Sequence, residues 1–311
     1  MTVLHRFAAL HRYAWPLAVA SLVANIGIVV TGGAVRLTGS GLGCPTWPRC
    51  TEESYVVHSE LGAHGVIEFG NRMLTWVLVV IAVATFLALW RSGRERATRL
   101  AAVIALGIPA QALLGGVTVL TDLNPWIVSL HLMVSMAIIG VCVMLLDELR
   151  GPARPATDRL RGLAWLTLGT TWVVLYLGTV VTGSGPHSGD LESRRTGLDP
   201  QVMSHVHAAA VYALVAVTVG LVLLAHRQGA TLVRTSASGL LALELAQGLL
   251  GFVQYFTDLP EILVGLHMLG AALISAAVTW TVLSTRARSD AADPQLKRSG
   301  SRATATNSSD R

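Results

Sequence analysis

Eight long apolar runs constrain this chain more than any other feature of its sequence. They extend approximately over Trp15–Ala34, Gly65–Trp90, Leu100–Leu120, Trp126–Leu146, Leu163–Val181, His205–Ala225, Ser236–Phe256 and Glu261–Leu283. Each contains about 20 residues, the length that a helix needs to cross roughly 30 Å of hydrocarbon. Backbone amides in lipid must be satisfied within their own segment. The runs therefore predict an all-α, polytopic membrane protein with eight transmembrane helices.

The composition and the positions of the basic residues agree with that prediction. Of the residues, 52% are hydrophobic and 13% charged, with a mean hydropathy of +0.58, which excludes an ordinary soluble domain. Of 23 Lys and Arg, 18 lie at the N-terminus, after runs two, four and six, and in the C-terminal tail. This positive-inside asymmetry predicts cytoplasmic termini. The net charge of +5 thus reflects topology, and we expect no nucleic-acid partner.

An internal repeat divides the chain into two halves. Residues 110–131 align without a gap over residues 246–267, and 12 of the 22 positions are identical. Each copy reads as a helix end, a Thr-Asp-Leu turn and a new helix with a histidine several residues in. We therefore predict two pseudo-symmetric four-helix bundles in the same orientation, residues 1–150 and 151–285. Residues 286–311 are polar and predict a disordered cytoplasmic tail.

Ionisable residues inside the apolar runs are the candidates for chemistry, because burying them in hydrocarbon is costly. They are Glu68, Arg72, His131, His205, His207, Glu244 and His267, with His64 at the membrane border. His207 and His267 lie near the outer ends of their helices, and two opposed imidazoles suit the axial positions of a heme iron. A purely structural hydrogen-bonding role is the alternative. Zinc is disfavoured because there is no compact ligand cluster.

The two copies of the repeat are 136 residues apart, and this offset both distinguishes His207 from His205 and reveals a difference between the two halves. It places His207, rather than His205, over position 71, which is Asn71. It also places Ser204 over Glu68, so only one half has this acid. Glu68 and Arg72 form an i, i+4 pair on the second helix. They are either a structural ion pair or an acid-base group beside a reactive centre, where Arg72 neutralises the acid or holds a heme propionate.

Two cysteines lie in the first outer loop. Cys44 and Cys50 flank a Pro-rich segment in a compartment that permits oxidation, so we predict a disulfide, with two unpaired thiols as the alternative. Cys142 lies within the fourth run and is expected to be a small buried apolar residue.

Several motifs in this order resemble the heme A synthase family of the actinobacterial type, over residues of about 13 to 285. They are the Cys44–Cys50 loop, the HGVIEFGNR segment, the repeated TDL turn followed by LH, and TGSGPHSGD. The resemblance implies an enzyme of the cell membrane that oxidises the C8 methyl group of heme O to a formyl group. It implies heme O as substrate, and heme O synthase and a quinol or other electron donor as partners.

The same resemblance assigns roles to residues. It implies that His207 and His267 hold a heme b cofactor, that the N-terminal half receives heme O at His131, and that Glu68 and Arg72 belong to the catalytic site. The cysteines match a redox-active or structural pair. Many members have His where this chain has Asn71, so either His64 substitutes or His131 alone holds the substrate iron.

Two other classes of protein remain open from the residues alone. A membrane cytochrome of the b type would bind heme in both halves only to pass electrons. A transporter would use the pseudo-symmetry to frame a substrate path and the histidines as proton relays.

Overall fold

The computed structural model describes residues 9–151, 154–155, 158–190 and 193–287, and eight long helices account for most of them. All eight are long and apolar enough to cross a membrane, which confirms the prediction made from the apolar runs. Two short 3-10 helices, Ala9–Tyr13 and Ser59–Leu61, precede the first and second long helices. The long helices are α1 Ala14–Leu37, α2 Gly62–Leu89, α3 Glu95–Leu120, α4 Pro125–Leu149, α5 Asp158–Ser184, α6 Pro200–Arg227, α7 Thr231–Phe256 and α8 Glu261–Ser284.

The helices pack in two sets of four that follow the chain. In the first set α1 contacts α2 and α4, and α3 lies between α2 and α4. In the second set α5 contacts α6 and α8, and α7 lies between α6 and α8. The two sets meet where α8 packs against α1 and α4, and where α4 packs against α5. A small apolar cluster containing Val29, Met136, Ile139 and Ala272 fills this seam.

The two repeated turns have the same backbone conformation. Asp122 and Leu123 have φ values of 53° and 55°, and Asp258 and Leu259 both have φ of 57°. Left-handed backbone is uncommon for residues other than glycine. In both turns the leucine amide donates to a carbonyl near the end of the preceding helix, at 2.8 Å for Leu123 and 3.0 Å for Leu259. The alignment of the two halves therefore extends to their local structure.

The two halves also contact each other at the ends of the helices near Arg150 and Trp280. The guanidinium of Arg150 lies 5.6 Å from the ring centroid of Trp15 on α1 and 4.4 Å from that of Trp280 on α8. Two-residue strands pair nearby, β1 Arg154–Pro155 with β2 Arg286–Ala287. The predicted tail begins at residue 286, so its first two residues take part in this pairing. Residues 288–311 lie outside the described residues, as do residues 1–8.

Candidate functional site

In the C-terminal half, two partly buried histidines lie near the N-terminal ends of α6 and α8. His207 on α6 packs against Gly178 of α5, where a Cβ atom would lie 3.3 Å from the imidazole Cε1. His267 on α8 packs against Gly251 of α7, where the corresponding distance is 3.6 Å. Each of the two histidines that the sequence predicted as axial ligands therefore packs against a glycine of a neighbouring helix.

The neighbouring histidine is oriented differently. His205 is exposed, and its ring lies 6.0 Å from that of Tyr255, edge to face. The choice of His207 from the repeat offset therefore agrees with the direction in which the two side chains point.

The N-terminal half contains one histidine in an equivalent position. His131 on α4 packs against Gly115 of α3, where a Cβ atom would lie 3.4 Å from Cε1. Gly115 and Gly251 are separated by the same 136 residues as His131 and His267. The α3–α4 and α7–α8 pairs thus present an imidazole against a glycine in the same way.

Asn71 occupies the repeat position that corresponds to His207, and it is hydrogen-bonded to a residue of α1. Thr31 Oγ1 donates to Asn71 Oδ1 at 2.8 Å. His64 lies two turns earlier on α2, about 10.5 Å along the axis. It is exposed, and its Nδ1 is 3.0 Å from Ser40 Oγ. The structure therefore does not bring His64 into the position of Asn71.

Glu68 and Arg72 form the centre of a hydrogen-bond network under the loop that joins α1 and α2. Glu68 is 5% exposed; its Oε2 accepts from the Cys44 amide at 2.6 Å and its Oε1 from Arg72 at 2.5 Å. Arg72 also donates to the carbonyls of Cys44, Thr46 and Arg49 at 3.0 to 3.1 Å. The pair anchors the loop to α2, so the structural interpretation of the pair has direct support.

The loop that this network holds is closed by the predicted disulfide. Cys44 and Cys50 are bonded, with Cα atoms 4.4 Å apart, which confirms the prediction. Between them, Trp47 reaches across to α3 and places its indole ring against Gly116, where a Cβ would collide with it. Gly116 is next to Gly115, so the loop packs on α3 beside the glycine that His131 contacts. Cys142 is free and buried, as expected.

The segment TGSGPHSGD, residues 182–190 of the C-terminal half, is held by an arginine of the N-terminal half. Arg36, at the end of α1, donates through Nε to the carbonyl of His187 at 2.5 Å and through a terminal nitrogen to that of Thr182 at 3.1 Å. His187 Nε2 lies 2.9 Å from the carbonyl of Leu259 in the repeated turn. The side chains of Arg36 and His187 therefore make their polar contacts within the protein.

The three inward-facing imidazoles suit a porphyrin-bound iron. Nδ1 of His131, His207 and His267 is buried without a partner in hydrogen-bonding geometry, although the His207 ring interacts with the backbone of Val174. Buried polar atoms without partners are costly. Among the described ranges, no three His, Cys, Asp or Glu side chains cluster as they would around a bare metal ion. A heme iron, with four ligands from porphyrin, needs only such axial imidazoles.

Sequence reasoning missed the residues that make room for these rings. Gly115, Gly178 and Gly251 each face an imidazole, and Trp47 covers the N-terminal position. The glycines could have been found, because Gly115 and Gly251 are identical positions of the repeat. The segments NIGIVVTGG and YLGTVVTGS also align, which places Gly178 over Gly27. For Trp47 the sequence contains no comparable signal.

Comparisons with known proteins identify relatives for most of the membrane region. The family model for cytochrome oxidase assembly protein (COX15-CtaA) matches residues 15–186. A heme A synthase of Lysinibacillus sphaericus is 30% identical over 55% of this chain and 58% of its own length. A heme A synthase of Methylobacterium radiotolerans is 28% identical over 61% of this chain and 60% of its own.

A third relative has a different name. A protoheme IX farnesyltransferase of Thermus thermophilus is 31% identical over 84% of this chain, which matches 46% of that protein. In all three cases the matched region spans about half to three fifths of the relative's length.

Proposed function

The chain belongs to the cytochrome oxidase assembly protein family and is related to heme A synthases, and from this we propose that it converts heme O to heme A. In the proposed reaction the C8 methyl group of heme O is hydroxylated twice; each hydroxylation consumes one O₂, two protons and two electrons from the donor and releases one water, and the resulting hydrate loses a further water to give the formyl group. The observation that carries the proposal is the repeated arrangement of imidazole against glycine, complete with two histidines in one half and with one in the other.

We assign the C-terminal half to a resident heme b held by His207 and His267. These two imidazoles would hold the heme iron, and a heme bound in this way would supply electron transfer rather than ligand binding. The two imidazoles lie on α6 and α8, and Gly178 on α5 and Gly251 on α7 make room for the rings, because the Cβ atom of a larger residue would contact them. These residues bind and orient the cofactor.

We assign the N-terminal half to the substrate. His131 holds heme O from one side, and Asn71, engaged by Thr31, leaves the other side without an imidazole. Glu68 is the group for proton transfer. Its Oε2 contacts only the Cys44 amide, whereas Oε1 is occupied by Arg72, so a small movement of the loop frees Oε2. Trp47 and the disulfide-closed loop exclude water from this side.

The comparison with the Thermus relative bears on where the substrate originates. That protein is named a protoheme IX farnesyltransferase, and this chain matches 46% of it. We propose that a farnesylating enzyme of this type supplies heme O to this chain in the cell membrane, with both chain termini in the cytoplasm. The electron donor is a quinol or another small membrane-soluble reductant.

Extraction of the hemes tests the function. The full chain is expressed with a heme O synthase in a host that lacks heme A, and the membrane pigments are extracted and separated. We expect heme A and hydroxylated heme O, both absent when the chain is omitted. Heme b alone, with unmodified heme O, would favour the electron carrier. A purified protein without a Soret band would favour the transporter.

A further inference from the structure

A buried carboxyl group in the C-terminal half has no part in the site described above. Glu244 lies near the middle of α7 and is 2% exposed, and Thr218 on α6 opposite it is fully buried. The repeat offset places Ile108 over Glu244 and Ala82 over Thr218, and both belong to the apolar core of the N-terminal half. One half therefore contains an acid and a hydroxyl where the other is wholly apolar.

The surroundings of Glu244 provide no positive charge. Among the described residues, no basic side chain forms an ion pair with it, and its Oε2 is buried without a hydrogen-bond partner. Leu240, one turn earlier on α7, packs with Ile274 and Val278 of α8. Only α6 and α8 pack closely against α7 within the described ranges. Their ionisable residues are His205, His207, Tyr212, His226 and Arg227 on α6, and Glu261 and His267 on α8.

The hydrogen bonds of Thr218 favour a proton on Glu244. Thr218 Oγ1 lies 3.0 Å from Glu244 Oε1 and also 3.0 Å from the carbonyl oxygen of Leu214. The hydroxyl has one proton to donate, and a carbonyl can only accept. Both contacts are satisfied when Glu244 is a neutral acid that donates to Thr218, while Thr218 donates to Leu214. A neutral carboxyl group is also far less costly than a carboxylate in this environment.

Glu244 and Thr218 lie on the same faces of their helices as the histidine site, deeper in the membrane. Glu244 is seven residues before Gly251, which contacts the His267 ring; seven residues are nearly two turns and about 10.5 Å along α7. Thr218 is eleven residues after His207, or about three turns along α6. The carboxyl group is therefore separate from the imidazoles but within the range of their electrostatic field.

We propose that Glu244 and Thr218 form a proton-binding site whose affinity for a proton rises when the His207–His267 site gains an electron. This rests on the proposed function, because it needs a redox group between those histidines. A ferric heme core with two neutral imidazoles has one net positive charge, which favours the Glu244 carboxylate. One-electron reduction removes that charge, and a proton from water then binds the carboxylate and restores the neutral acid.

The expected size of this coupling follows from the separation. The two stretches of helix correspond to about 10 Å along α7 and about 16 Å along α6, and unit charges at these separations in a medium of effective dielectric constant about 20 change a proton affinity by roughly five- to fifteenfold. The C-terminal half would thus take up an electron and a proton together, which lowers the cost of placing the electron's charge inside the membrane.

Infrared difference spectroscopy tests the proposal on the full chain with heme bound. Spectra are recorded on reduction with dithionite, in H₂O and in D₂O. We expect a carbonyl band of a protonated carboxyl group to gain intensity on reduction, to shift in D₂O and to be absent in Glu244→Gln. Thr218→Val should keep the band and move it, because the hydrogen bond to Glu244 is lost.

The repeat supplies a variant for the case in which single changes disturb folding. Glu244→Ile combined with Thr218→Ala installs the residues of the N-terminal half, so it should fold, bind heme and lack the band. If the heme-bound protein and its Glu244→Gln variant give the same difference spectrum, this inference is overturned and the proposed function stays intact. Purified protein without a heme spectrum overturns both.

Discussion

The two halves of this molecule share a backbone plan and differ in the polar residues placed on it. Both contain the same left-handed turn after the third helix and the same packing of imidazole against glycine. The C-terminal half adds His207 to make a pair. The N-terminal half has Asn71 at that position, and it adds Glu68, Arg72 and the disulfide-closed loop.

In the proposed function, this difference separates the half that would hold a heme from the half that would act on one. Two imidazoles would suit a heme used for electron transfer. A single imidazole beside Asn71 and Glu68 would leave one side of a substrate heme open to reaction. Duplication therefore accounts for the scaffold, and the later divergence of a few side chains accounts for the proposed division of labour.

The largest effect is expected when the pair in the C-terminal half is broken. His207→Ala should abolish the low-spin bis-histidine spectrum, because an iron with one imidazole cannot retain that state. The measurement is the absorption and paramagnetic resonance spectrum of the purified chain. His205→Ala is the matched control, since that ring is exposed and faces Tyr255. An unchanged spectrum in the His207 variant would place the ligand elsewhere.

The second prediction concerns the acid that exists only in the N-terminal half. Glu68→Gln should leave the low-spin spectrum intact and lower heme A formation by about 100-fold or more, the usual contribution of a general acid or base. The glutamine has the same shape but only one acceptor oxygen, so it keeps the contact to either Cys44 or Arg72 and loses the other. The bonds from Arg72 to the loop carbonyls do not involve position 68, and they still hold the loop. Heme extraction after a fixed time gives the yield.

A control separates catalysis from anchoring at this site. Arg72→Lys removes several donors to the loop carbonyls and keeps the positive charge beside Glu68. If Glu68 only anchors the loop, Glu68→Gln should still form most of the heme A. Arg72→Lys should then lower heme A formation at least as much as Glu68→Gln does. That pattern would contradict the catalytic assignment.

Much of the fold could be predicted because hydrophobic length and charge asymmetry report directly on a membrane. The eight helices, the repeat and the disulfide followed from such patterns. The contacts of Arg72 could not be predicted, because its three acceptors are backbone carbonyls 23 to 28 residues away. Every residue has a backbone carbonyl, so the sequence does not indicate which ones Arg72 will reach. The same holds for Trp47, because long-range packing of a loop depends on backbone geometry.

The third prediction concerns a variant in which the N-terminal half regains a histidine at the position of Asn71. Asn71→His places an imidazole opposite His131, as His207 is placed opposite His267. We expect a second low-spin heme signal when heme O is supplied, and a fall in heme A formation of about tenfold, or ~1.4 kcal/mol in activation free energy, because the open side becomes occupied. Thr31→Val is the control, since it removes only the hydroxyl that donates to Asn71. Faster turnover in the histidine variant would refute an open reaction side.

The smallest effect is expected at the glycine under the loop. Gly116→Ala introduces a Cβ where the Trp47 ring lies, so the loop must shift, at a cost of about 1–3 kcal/mol for overpacking. Gly248→Ala is the matched control, because nothing lies within 4 Å of its Cβ position and helical alanine is favoured over glycine. Thermal unfolding should show a lower midpoint for Gly116→Ala alone. Phe252 occupies the equivalent position in the C-terminal half, so of these two repeat positions only Gly116 leaves room for a tryptophan ring. Equal thermal stability of the two variants would mean that Trp47 does not pack firmly against α3. The proposed difference between the two halves would then depend only on Glu68 and Asn71.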